Sequence, residues 1–140
     1  MTIKKITDLN VGDCEILTRT ITEADVVLYA GLIGDEGPLH LDEAFSARTP
    51  FGSRLSYGML HSGYIGSSLA RLLGQGSAYV SQNLRFKSPI FIGDTITIET
   101  EVTGVNLEKK RVYVKTTCTR NNELLAIDGE AELLIFEVKD

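Results

Sequence analysis

The feature that most constrains the fold of this chain is a helical segment rich in small residues, at about 58–73. Gly58, Ser62, Gly66 and Ala70 recur every four residues and so lie on one helix face. Glycine inside a helix costs about 0.5–1 kcal/mol relative to alanine. We therefore expect this face to be small because another backbone approaches it closely. The segment is too short and too polar for a transmembrane dimer, so it predicts a buried helix with a sheet wrapped around it.

The second half of the chain predicts an antiparallel sheet. Apolar and polar residues alternate with a period of two over residues 94–102 and again over 111–118, which is typical of half-buried antiparallel strands. Further strands are expected at residues 14–20, 77–86, 89–92 and 123–138. The expected architecture is α+β, with the sheet curled around one central helix.

Turn residues separate these strands. The pairs Gly93-Asp94 and Asn121-Asn122 predict turns, since glycine and asparagine tolerate the backbone angles of tight hairpins. The pair Asp128-Gly129 predicts a bulge or a bend within the last strand.

The first helix has signals at both ends. Thr22 followed by Asp25 resembles a capping box, and Gly34 is a typical C-terminal stop. Asp42 is expected to cap a second short helix. Between the two helices the chain reads GDEGPLH over residues 34–40, which places a carboxylate and an imidazole in a proline-containing turn.

Asp35 and His40 in this turn are the candidate catalytic residues. A carboxylate beside an imidazole can hold a water molecule and move protons, and histidine exchanges protons near neutral pH. The chain has only two histidines, so the position of His40 narrows the possible chemistry. The alternative interpretation is structural: Asp35 ends a helix and His40 packs against the turn.

Composition narrows the class of protein. A net charge of −5 argues against a general nucleic-acid binder. Cys14 and Cys118 lack a CxxC spacing, so free thiols are expected. His61 lacks the HxxxH or HxH spacing of a metal site and is interpreted as a satisfied or partly exposed helix histidine. With no apolar run that could span a membrane, we expect a cytoplasmic protein of one domain, residues 1–140.

Three segments, in order, resemble the MaoC-like dehydratases and (R)-specific enoyl-CoA hydratases. The sequence YAGLIGDEGPLH at 29–40 is similar to the hydratase motif of that family, and YGML at 57–60 resembles the start of its central helix. The sequence QNLRFKSPIFIGD at 82–94 resembles the strands that follow. The likeness extends over nearly the whole chain.

This resemblance implies a hot-dog fold, in which an antiparallel sheet wraps a long helix. It also implies a hydro-lyase that adds water reversibly to a trans-2-enoyl thioester and gives an (R)-3-hydroxyacyl thioester. Asp35 would activate the water, and His40 would help to hold it and relay the proton. No metal or redox cofactor is implied, because coenzyme A arrives as part of the substrate. The expected partners are an acyl-CoA or acyl carrier protein thioester and further copies of this chain, as a homodimer or a higher homo-oligomer.

Gly58 is the candidate oxyanion donor. Its backbone N–H is expected at a helix N-terminus, where amides are free and the helix dipole favours negative charge. The alternative is a glycine needed only for close packing. Five basic residues could meet the phosphates of coenzyme A or be solvated charges: Arg48, Arg54, Arg71, Arg85 and Lys87.

Three positions depart from the family pattern. Gly37 stands where the family usually has asparagine, and glycine can adopt the left-handed conformation that asparagine often takes. Tyr57 stands where the family often has histidine. A serine of the central helix falls at Gly66, with Ser67 beside it.

Two other functions stay open. A hot-dog thioesterase would need an acid, commonly on the central helix, and residues 58–73 contain no Asp or Glu. A non-catalytic subunit that binds acyl thioesters is also consistent with the sequence, because Gly37 lacks the side chain that would brace the turn.

Overall fold

A computed structural model describes residues 2–140. Within this range the strands are β1 Cys14–Thr20, β2 Ser77–Phe86, β3 Thr95–Asn106, β4 Arg111–Arg120 and β5 Leu124–Ile135. The α-helices are α1 Glu23–Ile33, α2 Pro38–Leu41, α3 Glu43–Ser46 and α4 Gly58–Leu73. The strands form one antiparallel sheet in the order β1-β3-β4-β5-β2. The predicted α+β architecture is confirmed.

The core lies between the sheet and α4. Alternation along β3 buries Ile96 and Ile98, and alternation along β4 buries Val112 and Val114. These side chains share one face because successive strand residues point to opposite sides. The same core includes buried residues of α4: Ile65, Leu69, Leu72 and Leu73.

Helix α4 has the predicted bounds, but the prediction that another backbone approaches its small residues is wrong for residues 2–140. A Cβ atom at Gly58 would lie 2.8 Å from the ring of Phe86, and one at Gly66 would lie 3.4 Å from the ring of Tyr79. Aromatic side chains of β2 therefore occupy the space. The rest of this side is open, since Gly63 and Ser67 are exposed.

Residues 89–92 do not form the predicted strand and contribute only an isolated bridge between Phe91 and Leu55. Their carbonyl groups bond outside a sheet ladder: Arg120 donates to the Pro89 oxygen, and the Ser56 amide donates to the Ile90 oxygen. Proline also lacks the N–H that a ladder needs.

The predicted bulge at Asp128-Gly129 is also wrong. Both residues pair regularly with β4, and the register shifts instead opposite Ala126, between Cys118 and Thr119. Position 129 requires glycine for a different reason, because a Cβ atom there would overlap the carbonyl oxygen of Asn83 on β2. The predicted hairpin turn is confirmed, with positive φ angles at both Asn121 and Asn122.

The segment before the candidate residues is set by α1. Thr22 accepts a hydrogen bond from the Asp25 amide and donates its own amide to the Asp25 carboxylate, as the capping box predicts. Gly34 ends the helix with a φ angle of 76°, a conformation that favours glycine. The cap predicted at Asp42 is confirmed by its bond from the Phe45 amide. None of the helices in the described chain is long and apolar enough to cross a membrane.

Gly37 does not take the left-handed conformation considered for it. Its φ and ψ angles are −58° and 138°, which is extended backbone. Pro38 explains this extended conformation, because a residue that precedes proline is kept out of the helical region. Pro38 then begins α2, a single turn that the sequence did not predict, and this turn carries His40.

Candidate active site

Asp35 directly follows Gly34, the residue that caps the end of α1, and its side chain is exposed. The carboxylate oxygen Oδ1 accepts a hydrogen bond of 3.0 Å from the Gly37 amide. This bond folds the side chain back over its own turn. The other oxygen has no hydrogen-bond partner within residues 2–140 and can accept one from a bound molecule.

His40 is half-buried and its ring is fixed by the backbone. Its Nδ1 donates to the carbonyl oxygen of Leu55 at 2.8 Å, since a carbonyl can only accept. In the neutral ring Nε2 therefore carries the lone pair, and no group of the described chain bonds to it. Nε2 is therefore the ring nitrogen that is open to a hydrogen bond from a bound molecule.

Arg54 connects the segment that carries His40 to helix α1. Its Nε donates to the His40 carbonyl at 2.7 Å, and its Nη1 donates to the Glu23 carboxylate at 2.8 Å. Two of its three guanidinium nitrogens are therefore engaged within the fold, and its contact with coenzyme A phosphates stays a prediction.

The side chains of Asp35 and His40 approach the same point above Gly37. A Cβ atom built at Gly37 would lie 3.1 Å from Asp35 Oδ1 and 3.9 Å from His40 Cδ2. The carboxylate and the imidazole edge therefore both flank Gly37, and a larger residue at this position would crowd the carboxylate. The fold brings together the two residues that the sequence paired.

Gly58 is the first residue of α4, and its amide is free. No side chain caps this helix, and the Leu60 and His61 amides both return to the Tyr57 carbonyl. The Gly58 amide meets no acceptor within residues 2–140. Both interpretations of this glycine are supported, because the ring of Phe86 also leaves no room for a Cβ atom.

A cavity of about 200 Å³ joins His40 to Gly58. Asp35 is not among the residues that line it and lies at the exposed edge beside Gly37. The walls of the cavity come from three parts of the chain: Leu55, Ser56 and His61 around the start of α4, Phe86, Ser88, Pro89 and Ile90 after β2, and Ile127 of β5.

His61 is the second histidine of the chain, and it is buried. Its Nε2 lies 2.8 Å from the hydroxyl oxygen of the buried Ser56. Burial lowers the pKa of His61 to about 4, because a charged ring would lose its hydration. The interpretation as a satisfied histidine is confirmed. No cluster of metal-ligating side chains occurs in the described part of the chain.

Tyr57 is the residue of this region that sequence reasoning missed. Its hydroxyl donates to the carbonyl oxygen of Asp35, and its ring stacks on His40 with centroids 3.8 Å apart. The sequence signalled only that a tyrosine stands where the family often has histidine.

A larger groove runs along the open side of α4. It has a volume of about 680 Å³, and half-exposed aromatic side chains line it, among them Tyr79 and Phe86 of β2. The only polar wall group on α4 is Ser62, whose hydroxyl donates to the Gly58 carbonyl at 3.0 Å. This groove could hold an apolar chain or a partner surface.

Comparison with known proteins identifies the family. The family model described as MaoC like domain matches residues 14–123. The chain belongs to the MaoC-like family. An (R)-specific enoyl-CoA hydratase of Rhodospirillum rubrum is 43% identical to it, over 91% of this chain and 89% of the relative. A 3-hydroxybutyryl-CoA dehydratase of Methylorubrum extorquens is also 43% identical, over 89% and 79%.

Solved structures of other proteins agree with the fold. An (R)-hydratase from A. caviae involved in PHA biosynthesis is 37% identical and superposes with a TM-score of 0.87, over 91% of this chain and 98% of that one. A hot-dog-like protein of Thermanaerovibrio acidaminovorans, 14% identical with a TM-score of 0.66 over 93% and 85%, supports the fold alone. The predicted hot-dog fold and the predicted class of enzyme, a hydro-lyase, are confirmed.

Proposed function

We propose that this protein is an (R)-specific enoyl-CoA hydratase, which adds water reversibly to a trans-2-enoyl-CoA. The observation that carries this proposal is the placement of the Asp35 and His40 side chains within 4 Å of one position beside Gly37, while His40 also lines a cavity with the free amide of Gly58. An acid, an imidazole and an open helix amide are the three groups that hydration of a conjugated thioester needs.

The first task is to hold the water. Asp35 has a carboxylate oxygen without a protein partner, and His40 has Nε2 without one, within the described residues. A water molecule that donates one hydrogen to each would keep an oxygen lone pair for attack on C3. Placed groups of this kind contribute about 10²–10⁴ in rate.

The second task is to stabilise the thioester oxygen as negative charge moves onto it. The Gly58 amide has no internal acceptor and lies at the N-terminus of a 16-residue helix, where the dipole favours an anion. Loss of one oxyanion donor costs about 2.7–4 kcal/mol of transition-state stabilisation.

Water adds across the C2=C3 bond of the enoyl thioester in two steps. The water oxygen forms a bond to C3, the C2=C3 π electrons move toward the carbonyl, and Asp35 takes the water proton with help from His40. The enolate then re-forms the thioester carbonyl, and C2 takes up the proton that was removed from water. The product is a 3-hydroxyacyl thioester, and dehydration is the same path in reverse.

Coenzyme A is proposed as the carrier of the acyl group. The two relatives at 43% identity are both named for CoA thioesters. A relative from Arabidopsis thaliana, 37% identical over 91% of this chain and 78% of its own length, is named as a mitochondrial 3-hydroxyacyl-[acyl-carrier-protein] dehydratase. The carrier protein thioester is therefore the second substrate to test.

A homodimer is proposed as the working form. Strand β2 is an edge of the sheet, and an exposed edge with apolar side chains is open to pairing with another chain. Tyr79 and Val80 of this strand are 47% and 46% exposed, and Met59 of the adjoining α4 is 65% exposed. A second copy on this side would cover the open face of α4 and close the groove.

One assay tests the activity against both alternatives. Purified protein is mixed with crotonyl-CoA, and the absorbance of the conjugated thioester is followed together with release of free thiol. A hydratase lowers the absorbance without thiol release, and chiral analysis of the product gives the (R) isomer. Thiol release indicates a thioesterase. Inactivity across C4 to C12 enoyl groups on both carriers indicates a binding subunit.

Asp35→Asn tests the proposed water-activating group. We expect at least a hundredfold loss of kcat/KM, since the amide cannot accept the proton. The matched control is Glu36→Gln, which makes the same change of charge on the next residue and should keep activity within about twofold. Turnover by Asp35→Asn at the level of the control would remove Asp35 from the mechanism.

A further inference from the structure

Tyr57 ties the start of α4 to the candidate site. It is 4% exposed, and its carbonyl accepts hydrogen bonds from the Leu60 and His61 amides at 3.1 and 3.3 Å. The residue that follows it is Gly58. Any shift of Tyr57 therefore moves the beginning of the helix that presents the proposed oxyanion donor.

The hydroxyl of Tyr57 reaches the segment that carries Asp35. It donates to the backbone carbonyl of Asp35, 22 residues earlier in the chain. Burial, followed by the negative charge of Asp35, raises the pKa of Tyr57, so the phenol stays protonated and remains a donor. The bond holds the backbone from which the Asp35 carboxylate extends, at a position where that carboxylate itself is exposed.

The ring of Tyr57 supports His40. The two rings stack at 3.8 Å with an angle of 23° between their planes, and the tilted ring of Tyr29 lies 5.1 Å from the phenol ring. With Nδ1 held by Leu55, the stack fixes the plane in which Nε2 lies. A single side chain thus contacts both members of the proposed pair.

We infer that Tyr57 is a positioning residue of this site, whose hydroxyl anchors the Asp35 backbone while its ring fixes the plane of His40. The inference rests on the proposed hydration and adds to it a residue that does not itself touch the substrate. Tyr57 contributes to the rate by keeping Asp35 and His40 in place, because a catalytic group that is misplaced by about 1 Å can lose a hundredfold in rate.

The test removes only the hydroxyl. Tyr57→Phe keeps the stack on His40, so we expect a fall in kcat of about tenfold with KM within about twofold. In an Asp35→Asn background the same change should have no further effect on kcat, because Tyr57 acts through the carboxylate. Equal kcat in Tyr57→Phe and wild type overturns the inference, and so does a full tenfold loss in both backgrounds.

Tyr29→Phe is the matched control. It removes a hydroxyl from the neighbouring ring, and this hydroxyl has no hydrogen-bond partner within residues 2–140. We expect wild-type kcat and KM for this variant. A loss of kcat equal to that of Tyr57→Phe would show a general sensitivity of the aromatic cluster and would overturn the specific role of Tyr57.

Amide hydrogen exchange separates this inference from the proposed function. The Gly37 and His40 amides are hydrogen-bonded within the turn, and in Tyr57→Phe we expect them to exchange about fivefold faster than in Tyr29→Phe. Unchanged exchange overturns the anchoring role even if the enzyme is active. Faster exchange in a protein that hydrates no enoyl thioester supports the anchor and rejects only the proposed reaction.

Discussion

The two histidines of this chain lie in opposite environments a short distance apart in space. His40 sits on a one-turn helix at the surface, with Nδ1 bonded to a backbone carbonyl and Nε2 open. His61 sits on the buried face of α4, 2% exposed, with its Nε2 against the Ser56 hydroxyl. Both line the same cavity, yet only the first has a nitrogen free for proton transfer.

This difference shows that residue type alone does not mark a catalytic group. The turn around His40 is held by backbone hydrogen bonds and by the side chains of Arg54 and Tyr57, and it leaves polar atoms of Asp35 and His40 open. The region around His61 satisfies its polar atoms internally and keeps the imidazole neutral. Changes in the turn should therefore affect activity, and changes around His61 should affect stability.

The largest expected effect is loss of activity in His40→Ala. We expect hydration to fall at least a hundredfold, because the water loses one of its two proposed acceptors. The free energy of unfolding should fall by only about 1–2 kcal/mol, since the variant loses one hydrogen bond and one ring stack but the ring is only half-buried. Steady-state kinetics and urea denaturation measure the two quantities. A variant that loses stability like a core mutant, or that turns over normally, would contradict the contrast between the two histidines.

The next effect is a pH dependence of stability that arises from His61. The unfolded chain takes up a proton at this residue below about pH 6.5, whereas the folded protein resists until about pH 4. This contribution is complete above pH 6.5 and is lost as the pH falls toward 4. It amounts to about 3 kcal/mol at most.

The measurement is urea denaturation at intervals between pH 4 and 7 for the wild type and for His61→Gln. Carboxylates titrate in both proteins, so the difference between the two curves isolates His61. We expect the wild type to lose more stability across this range. Parallel curves would mean that His61 is not held neutral by burial.

A smaller effect is expected for Gly37→Ala. The backbone angles of Gly37 suit any residue, so stability should stay within about 0.5 kcal/mol or rise slightly. The new Cβ atom would lie 3.1 Å from Asp35 Oδ1 and push the carboxylate aside, so kcat should fall by about tenfold.

Gly31→Ala is the control for this variant. Gly31 lies within α1 and has open space around it, so alanine there should stabilise the helix by about 0.5–1 kcal/mol and leave kcat unchanged. If Gly37→Ala kept full activity, the position of the Asp35 carboxylate beside Gly37 would have no functional role.

The smallest effect is expected for Thr22→Ala at the far end of α1. The variant loses the side-chain cap on the Asp25 amide, which should cost about 1 kcal/mol of stability. Activity should be unchanged, because Asp35 lies beyond the opposite end of an 11-residue helix. Thermal unfolding and the hydration assay are the measurements, and a clear loss of kcat would show that the turn depends on the whole helix.

Much of the fold could be predicted from the sequence. The bounds of α4, β1 and β2 agree with the structure, since periodicity and caps act over a few residues. Two wrong predictions, the strand at 89–92 and the bulge at Asp128-Gly129, have a common cause: contacts with other segments decide these features. Residues 89–92 have strand-like composition, but their carbonyls bond to a loop and to a side chain, and the shift opposite Ala126 depends on how two strands align.

The candidate site divides in the same way. The pair Asp35 and His40 was predictable because its members lie five residues apart within one motif. Tyr57 was noticed only as a departure from the family pattern, because its bond to Asp35 joins positions that are distant along the chain. The burial of His61 was likewise decided by the sheet that packs against α4.

By itself, the sequence determined where α1, α4, β1 and β2 begin, which residues cap α1 and α3, and which turn carries a carboxylate and an imidazole. These properties follow from interactions between near neighbours in the chain. Only the tertiary structure decided that Tyr57 contacts both candidate residues and that aromatic rings of β2 cover Gly58 and Gly66 of α4. It also decided that His40 has an open ring nitrogen, whereas His61 is buried. Those properties are contacts between remote segments, and their free energy exists only after the sheet has folded against the helix.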